Sequence, residues 1–354
     1  MKTKLPLLAL FTLCLVACKS SRAVGERASA DTTEVSLNGA GATFPYPLYS
    51  KWMSEYNKQH PNIKINYQSI GSGGGIRQIL AGTVDFGASD APMNAAELGK
   101  APRTLHHIPA TLGGVAVAYN VEEVSELRLT SDALASIYLG DITKWNDPKL
   151  VEANPDVSLP DLDVTVIYRS DGSGTTAVFS DYLAKVSSDW KQNVGAGKSL
   201  KWPRGLGAKG NEGVTGQVKT TKGAIGYLEL AYATQSKLRV AAIKNPAGQF
   251  VAPSIEAISA AAAGAALPAS LTASITNSAG KGAYPIASYS YLLVYEETND
   301  AVKAEALAKF LWWASHDGQK LAADLHYAPL PAAVVTQIES RLKQLKGAGD
   351  ALLP

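Results

Sequence analysis

Cysteine is nearly absent from this chain. Its 354 residues include two, Cys14 and Cys18. That count excludes a disulfide-built scaffold and a cysteine-rich metal centre. No apolar run reaches the ~20 residues that a membrane-spanning helix needs, because polar residues interrupt every candidate. The five histidines (His60, His106, His107, His316 and His326) show no metal-ligand spacing, and adjacent residues such as His106 and His107 point to opposite sides of an extended chain. Nucleotide fingerprints are missing as well. GxGxxG would need glycine at 76, where Ile76 stands. GxxxxGK[ST] does not occur, and Asp171 breaks GxSxG around Ser173. No internal repeat of fixed period is found.

What is present begins with a distinct first segment. Lys2 and Lys4 precede a mostly apolar stretch from Leu5 to Ala17, which has the shape of a secretory signal peptide over residues 1–17. Leu15-Val16-Ala17-Cys18 resembles a bacterial lipobox, which implies that Cys18 is lipidated and becomes the first mature residue. The plainer alternative is a cleavage site with Cys18 incidental. Lipidation would explain a lone thiol in an exported chain. Residues 18–33 read as the lipidated N-terminus and a flexible tether. Loss of residues 1–17 removes two of the 33 basic residues and none of the 31 acidic ones, so the mature chain has no net charge. Bulk charge therefore favours neither nucleic acid nor an anionic membrane, and any anion site must be local.

The rest is ordinary globular sequence, 46% hydrophobic and 18% charged, and its length suggests two domains. Its grammar is strand, glycine turn, helix, strand, which is the pattern of an α/β domain. Strands are expected at 34–40, 63–67, 84–88, 115–119, 164–168, 223–227 and 285–294. Helices are expected after Pro45, where Leu48, Trp52 and Tyr56 share one face, after Gly75, at 131–139, after Thr176 and at 304–314. The alanine-rich segment 254–266 reads as a solvent-exposed helix, and the charges from Glu339 to Lys346 as a solvated helix face. Trp312 and Trp313 read as packing.

Three glycine-rich turns each precede a helix: Gly39 to Phe44, Gly71 to Gly75, and Asp171 to Thr176. A helix start presents unpaired N–H groups and partial positive charge. Glycine lets backbone approach a ligand, and Ser or Thr adds a hydroxyl donor. One such turn is usually only a cap; three in one chain point to a small anion.

Leu37-Asn38-Gly39-Ala40-Gly41-Ala42-Thr43-Phe44-Pro45, Asn66 to Gly74, Val84 to Asp90, Tyr138 to Trp145, Arg169 to Thr175, Gly223 to Tyr227 and Tyr284-Pro285-Ile286 resemble, in order and spacing, the periplasmic phosphate-binding proteins of the high-affinity phosphate ABC importer. The resemblance runs from about residue 35 to residue 340. It implies a two-lobed periplasmic-binding-protein fold, α/β and type II-like, in which each lobe is a central sheet flanked by helices and the ligand lies in the inter-lobe cleft. The implied lobes are 34–112 plus 286–354, and 113–285. Carried over by position, Thr43, Phe44, Ser72, Ser173, Gly174 and Thr175 donate to phosphate, Arg169 adds its guanidinium, and Asp90 is the acceptor. Gly73 stands where a second serine often follows. The resemblance also implies ABC permease subunits as partners, a monomer outside the cytoplasm, membrane contact only through Cys18, no cofactor, no metal and no catalysis.

The chemistry of these residue types agrees with those roles. Phosphate near neutral pH keeps a proton that a buried Asp90 can accept, whereas sulfate keeps none and leaves the acceptor unpaired at ~1–3 kcal/mol. Arg169 suits bidentate oxyanion contact and can be oriented by Asp171 at the same time. Arsenate, similar in shape and protonation, is expected to bind nearly as well. The rival readings are a binder of sulfate or molybdate, a phosphoryl-transfer hydrolase with Ser173 as nucleophile, which would need a base or a metal, and a sensor or adhesin on the same fold.

Overall fold

Strands alternate with helices along the computed structural model, which describes residues 34–263 and 267–353. The expected signal peptide, Cys18 and the tether lie outside the described residues. Strand β1 (Val35–Gly41) pairs in parallel with β2 (Ile63–Ser69), from Val35 opposite Ile63 to Gly41 opposite Ser69. On its other side β1 meets β3 (Phe86–Ser89), also in parallel. The helix Tyr46–Gln59 links β1 to β2. Pro47 falls in its first turn, where a missing N–H costs nothing, and Leu48, Tyr49, Trp52 and Tyr56 are buried. The helix Ser72–Leu80 links β2 to β3 and buries Ile76 and Ile79.

Strand β4 (Leu105–Asn120) is long and almost wholly buried. After it come β5 (Thr165–Arg169), β6 (Leu206–Ala208), β7 (Ala224–Glu229), β8 (Arg239–Val240) and β9 (Ala287–Tyr295). These nine strands form one sheet in the order β2-β1-β3-β9-β4-β7-β5-β6, with β8 also paired to β4. The two halves of β4 have different partners. Leu105 to Gly114 runs antiparallel to β9, and Val115 to Asn120 runs antiparallel to β7. One strand thus crosses from one half of the sheet to the other between Gly114 and Val115. The helix Gly174–Val186 follows β5 and the helix Gly210–Thr220 follows β6. Each starts where a strand ends, so strand C-termini and helix N-termini share one edge of the sheet, the usual place for a ligand in an open α/β sheet.

The α/β class expected from the strand and turn pattern is borne out, and the helix at 131–139 is found as Ser131–Leu139. Three expectations need correction. The strand expected at 115–119 is sixteen residues long. Its first half holds His106, His107, Pro109, Thr111, Gly113 and Gly114, which dilute the apolar signal, and pairing with β9 makes that half a strand. The alanine-rich helix, Ile255–Ala263, is not simply exposed: Ala257, Ile258, Ala261 and Ala262 are buried. The charges from Glu339 onward are partly engaged. Glu339 lies 3.0 Å from His316 Nε2, and Arg341 Nη1 lies 2.8 Å from His106 Nδ1. Trp313 packs on Tyr56 and Phe310, as expected for a core residue. Among the described residues no helix is long and apolar enough to cross a membrane.

Candidate oxyanion-binding site

The edge of the sheet where β1, β3 and β5 end gathers the polar residues singled out in the sequence. Thr43, Phe44, Ser72, Asp90, Arg169, Ser173 and Thr175 are all buried, Asp90 and Arg169 being only 1% and 3% exposed. Polar groups are removed from water at such a cost only when partners compensate.

The first loop follows β1. Three tyrosines hold its carbonyl oxygens: Tyr67 donates to Ala42 O at 2.8 Å, Tyr232 to Thr43 O at 2.6 Å and Tyr327 to Phe44 O at 2.6 Å. In a trans peptide the N–H points opposite to the preceding C=O. Clamping the Ala42 and Thr43 carbonyls therefore turns the N–H groups of Thr43 and Phe44 away from Tyr67 and Tyr232.

The second loop opens the helix Ser72–Leu80. Gly71 has φ +85°, a conformation that favours glycine, and a side chain there would run into the Asp171 carboxylate. Gly73 N–H donates to Gly172 O at 2.8 Å. The second and third loops therefore touch directly. A Cβ at Gly73 would sit 3.1 Å from Gly172 Cα, so the absence of a serine there suits this close approach.

The third loop opens the helix Gly174–Val186. Ser173 caps it, its Oγ accepting from Thr176 N–H at 3.0 Å, while Ser173 N–H donates to Lys198 O at 2.8 Å. Ser173 is left with its hydroxyl proton for a ligand. Gly174 and Thr175 occupy the first turn, where N–H groups have no intrahelical acceptor. Gly174 lies directly against Ser72 Oγ and Asp90; a methyl group on it would fall 2.7 Å from Asp90 Cβ.

Charge is arranged around these donors. Arg169, at the end of β5, donates from Nε to Asp171 Oδ1 at 2.7 Å and from Nη2 to Asp171 Oδ2 at 2.6 Å, which fixes its plane. Its Nη1 donates to Thr175 Oγ1 at 3.2 Å. Burial alone would raise Asp171; the hydrogen bonds and charge of Arg169 outweigh it and hold the carboxyl below its ordinary range. Asp90 behaves in the opposite way. Burial pushes it up to about 7, against the lowering effects of the Ser290 hydrogen bond, the Arg169 charge and the Ser72 hydrogen bond. Its Oδ1 accepts from Ser290 Oγ at 2.8 Å, and its Oδ2 faces Ser72 Oγ at 3.4 Å. A cavity of about 360 Å³ opens beside Asp90, and Lys198 and Glu97 pair at 2.8 Å on its wall.

All the expected site residues within the described chain therefore converge, and Asp171 orients Arg169. Sequence reasoning missed Asn211, Ser290 and the three tyrosine clamps. Asn211 donates to Thr43 Oγ1 at 2.7 Å and to Thr175 Oγ1 at 3.2 Å. It sits in Gly210-Asn211-Glu212-Gly213, one more glycine-bounded helix start that could have been singled out. Ser290 belongs to Ser288-Tyr289-Ser290-Tyr291, where hydroxyl residues fill a strand buried on both faces, an unusual composition for such a strand. Among the described residues no cluster of His, Cys, Asp and Glu is suited to a metal.

The model of the PBP superfamily domain matches residues 27–317. The phosphate-binding protein PstS of Xylella fastidiosa (strain Temecula1 / ATCC 700964) is 50% identical over 313 residues, covering 87% of this chain and 85% of that protein. PstS of Haemophilus influenzae is 47% identical over 312 residues, covering 87% and 92%. Among solved structures, a high-affinity periplasmic phosphate-binding protein (PfluDING) bound with phosphate at pH 8.5 superposes with a TM-score of 0.69 at 23% identity, covering 86% of this chain and 93% of that one. That likeness carries the fold, the two-lobed architecture of periplasmic binding proteins. By the extent of both matches, the chain belongs to the PstS family of phosphate-binding proteins within the PBP superfamily.

Proposed function

We propose that this chain is an extracytoplasmic solute-binding protein that captures inorganic phosphate and delivers it to the permease of an ABC importer. The observation that carries the reading is the setting of Asp90: a buried carboxylate facing Ser72 and the Gly174 helix start, with Arg169 close enough to lower its pKa. An anion that retains a proton can donate it to Asp90 Oδ2, whereas a fully ionised one meets an unpaired negative charge. Relatives named for phosphate binding, and a structural neighbour solved with phosphate, support the same ligand. Phosphate is the ligand, and no cofactor is required.

In this reading Thr43, Phe44, Ser72, Ser173, Gly174 and Thr175 donate to the anion, Arg169 supplies charge oriented by Asp171, and Asp90 accepts. The lobes are 34–112 with 286–354, and 113–285, and β4 is the strand that flexes between them. Closure over the anion expels water, strengthens each contact and forms the surface the permease reads. Export by residues 1–17, lipid attachment at Cys18, the tether 18–33 and a monomeric mature chain complete the proposal. The activity is binding and not catalysis. Ser173 Oγ takes its hydrogen bond from the Thr176 N–H, a donor and not a base.

The test is calorimetric titration of residues 19–354, freed of ligand by partial unfolding and dialysis, with phosphate and sulfate in turn. Tight phosphate binding with negligible sulfate binding is expected. A folded, ligand-free protein that ignores phosphate would overturn the reading. Turnover of a chromogenic phosphate ester, abolished by Ser173→Ala, would favour a hydrolase instead.

A further inference from the structure

Asn211 is fully buried at the start of the helix Gly210–Thr220 and touches two hydroxyls from different segments. Its Nδ2 lies 2.7 Å from Thr43 Oγ1 and 3.2 Å from Thr175 Oγ1, one N–H available for each. Its backbone N–H also reaches Thr43 Oγ1 at 3.2 Å. The amide cannot turn over without loss, because Asn211 Oδ1 accepts from the Glu229 N–H at 2.9 Å. Gly210, with φ +72°, donates to Asp171 Oδ1 at 3.1 Å and so ties this helix start to the Arg169–Asp171 pair.

A hydroxyl has one proton to give and two lone pairs to offer. Thr43 Oγ1 receives two N–H groups, both from Asn211. Thr175 Oγ1 also receives two, one from Arg169 Nη1 at 3.2 Å and one from Asn211. Both hydroxyls therefore have their acceptor capacity filled and only donation remaining. Resting on the reading that Thr43 and Thr175 contact phosphate, we infer that Asn211 is a positioning residue that makes both hydroxyls obligate donors to the anion. It touches no ligand atom in this role. It acts by removing the alternative in which either hydroxyl accepts, and it does so for one hydroxyl on each side of the cleft. The bond to Thr43 also joins the two proposed lobes, so the polarity is set as the cleft closes.

The experiment is a set of double-mutant cycles read by phosphate titration. Asn211→Leu keeps approximate shape and removes the donors. It is expected to weaken phosphate by roughly 30-fold, about the value of two hydrogen bonds. In a Thr43→Val or a Thr175→Val background that loss should shrink to about fivefold, because one of the two hydroxyls on which it acts is gone. An equal loss in all backgrounds would show a merely structural role and overturn the inference. If the valine substitutions alone leave phosphate binding unchanged, the assignment of the two threonines to the ligand fails first, a separate outcome. Should Asn211→Leu not fold, Asn211→Asp serves. It preserves the bond from Glu229 N–H but offers acceptors where Asn211 donates, so the loss should exceed roughly 100-fold. Wild-type affinity in Asn211→Asp would overturn the proposal.

Discussion

Ser290 donates its hydroxyl to Asp90 Oδ1 at 2.8 Å from a strand 200 residues further along the chain. Ser288, two residues earlier on the same strand, donates to Asp90 O at 3.1 Å. Strand β9 thus grips Asp90 by side chain and backbone together, and leaves Oδ2 turned towards Ser72. The Ser290 bond favours the ionised form, in opposition to burial. Ser290→Ala should raise Asp90 further and weaken phosphate by about tenfold. Titrations at pH 6 and pH 8 decide it: the loss should be smaller at the higher pH, where the carboxyl still ionises. An unchanged affinity at both would mean that Asp90 needs no second anchor.

Discrimination between oxyanions should reside in Asp90 itself. Asp90→Asn replaces an acceptor by a group that can donate. Phosphate should lose about 1–3 kcal/mol of binding, and sulfate should gain where it was excluded. Parallel calorimetric titrations of the two anions measure the ratio. If that ratio does not move, selectivity lies elsewhere in the cleft.

Asp90 should also leave a mark on stability. Its folded-state pKa of about 7 stands above the ordinary 3.8. The folded protein therefore holds a proton that the unfolded chain releases, and this contribution is complete below about pH 4. It is lost as pH rises through about 7. In phosphate-free protein, Asp90→Asn should gain on the wild type between pH 4 and pH 8 by at most about 4 kcal/mol. Urea unfolding at several pH values gives the difference directly. Parallel curves for the two proteins would mean that the carboxyl is well solvated before phosphate arrives.

Gly174 is packed where no side chain fits, against Ser72 Oγ and 2.7 Å, at the Cβ position, from Asp90 Cβ. Its own backbone conformation is open to alanine, being helical and without a positive φ. Gly174→Ala should lower ligand-free stability by about 1–3 kcal/mol, because the overpacking against Ser72 and Asp90 outweighs alanine's helix preference of about 1 kcal/mol, and it should weaken phosphate by roughly 5-fold or more as those two side chains are pushed aside. Melting curves with and without phosphate separate the two effects. Full phosphate stabilisation of the variant would show that this close approach is dispensable.

Much of the site was legible because its chemistry is local. A loop that offers backbone N–H groups must spend Gly, Ser and Thr just before a helix, and those residues stand in sequence order at 39–44, 71–75 and 171–176. Arg169 and Asp171 are two residues apart, so their pairing could be anticipated. The supporting residues act over distance and leave no such trace. Tyr327 holds Phe44 O across 283 residues and Asn211 reaches Thr43 across 168. A buried tyrosine reads as packing until the carbonyl it holds is known. The extent of β4 was hidden for a related reason, since its first half is a strand only because β9 lies beside it.

The place of β9 also dictates an order of assembly. It lies between β3 and β4 in space, yet it comes last of the nine strands in sequence. Before residue 295 is available, β3 and the first half of β4 each expose an unpaired edge. The other half of the sheet waits for nothing so late, since β4, β7, β5 and β6 are all present by residue 229. The middle of the polypeptide can therefore mature first, and its beginning is finished only by its end. A chain interrupted shortly before β9 would not be a shorter binding protein. It would be one completed half joined to an open sheet with two adhesive edges, a target for chaperones and proteases.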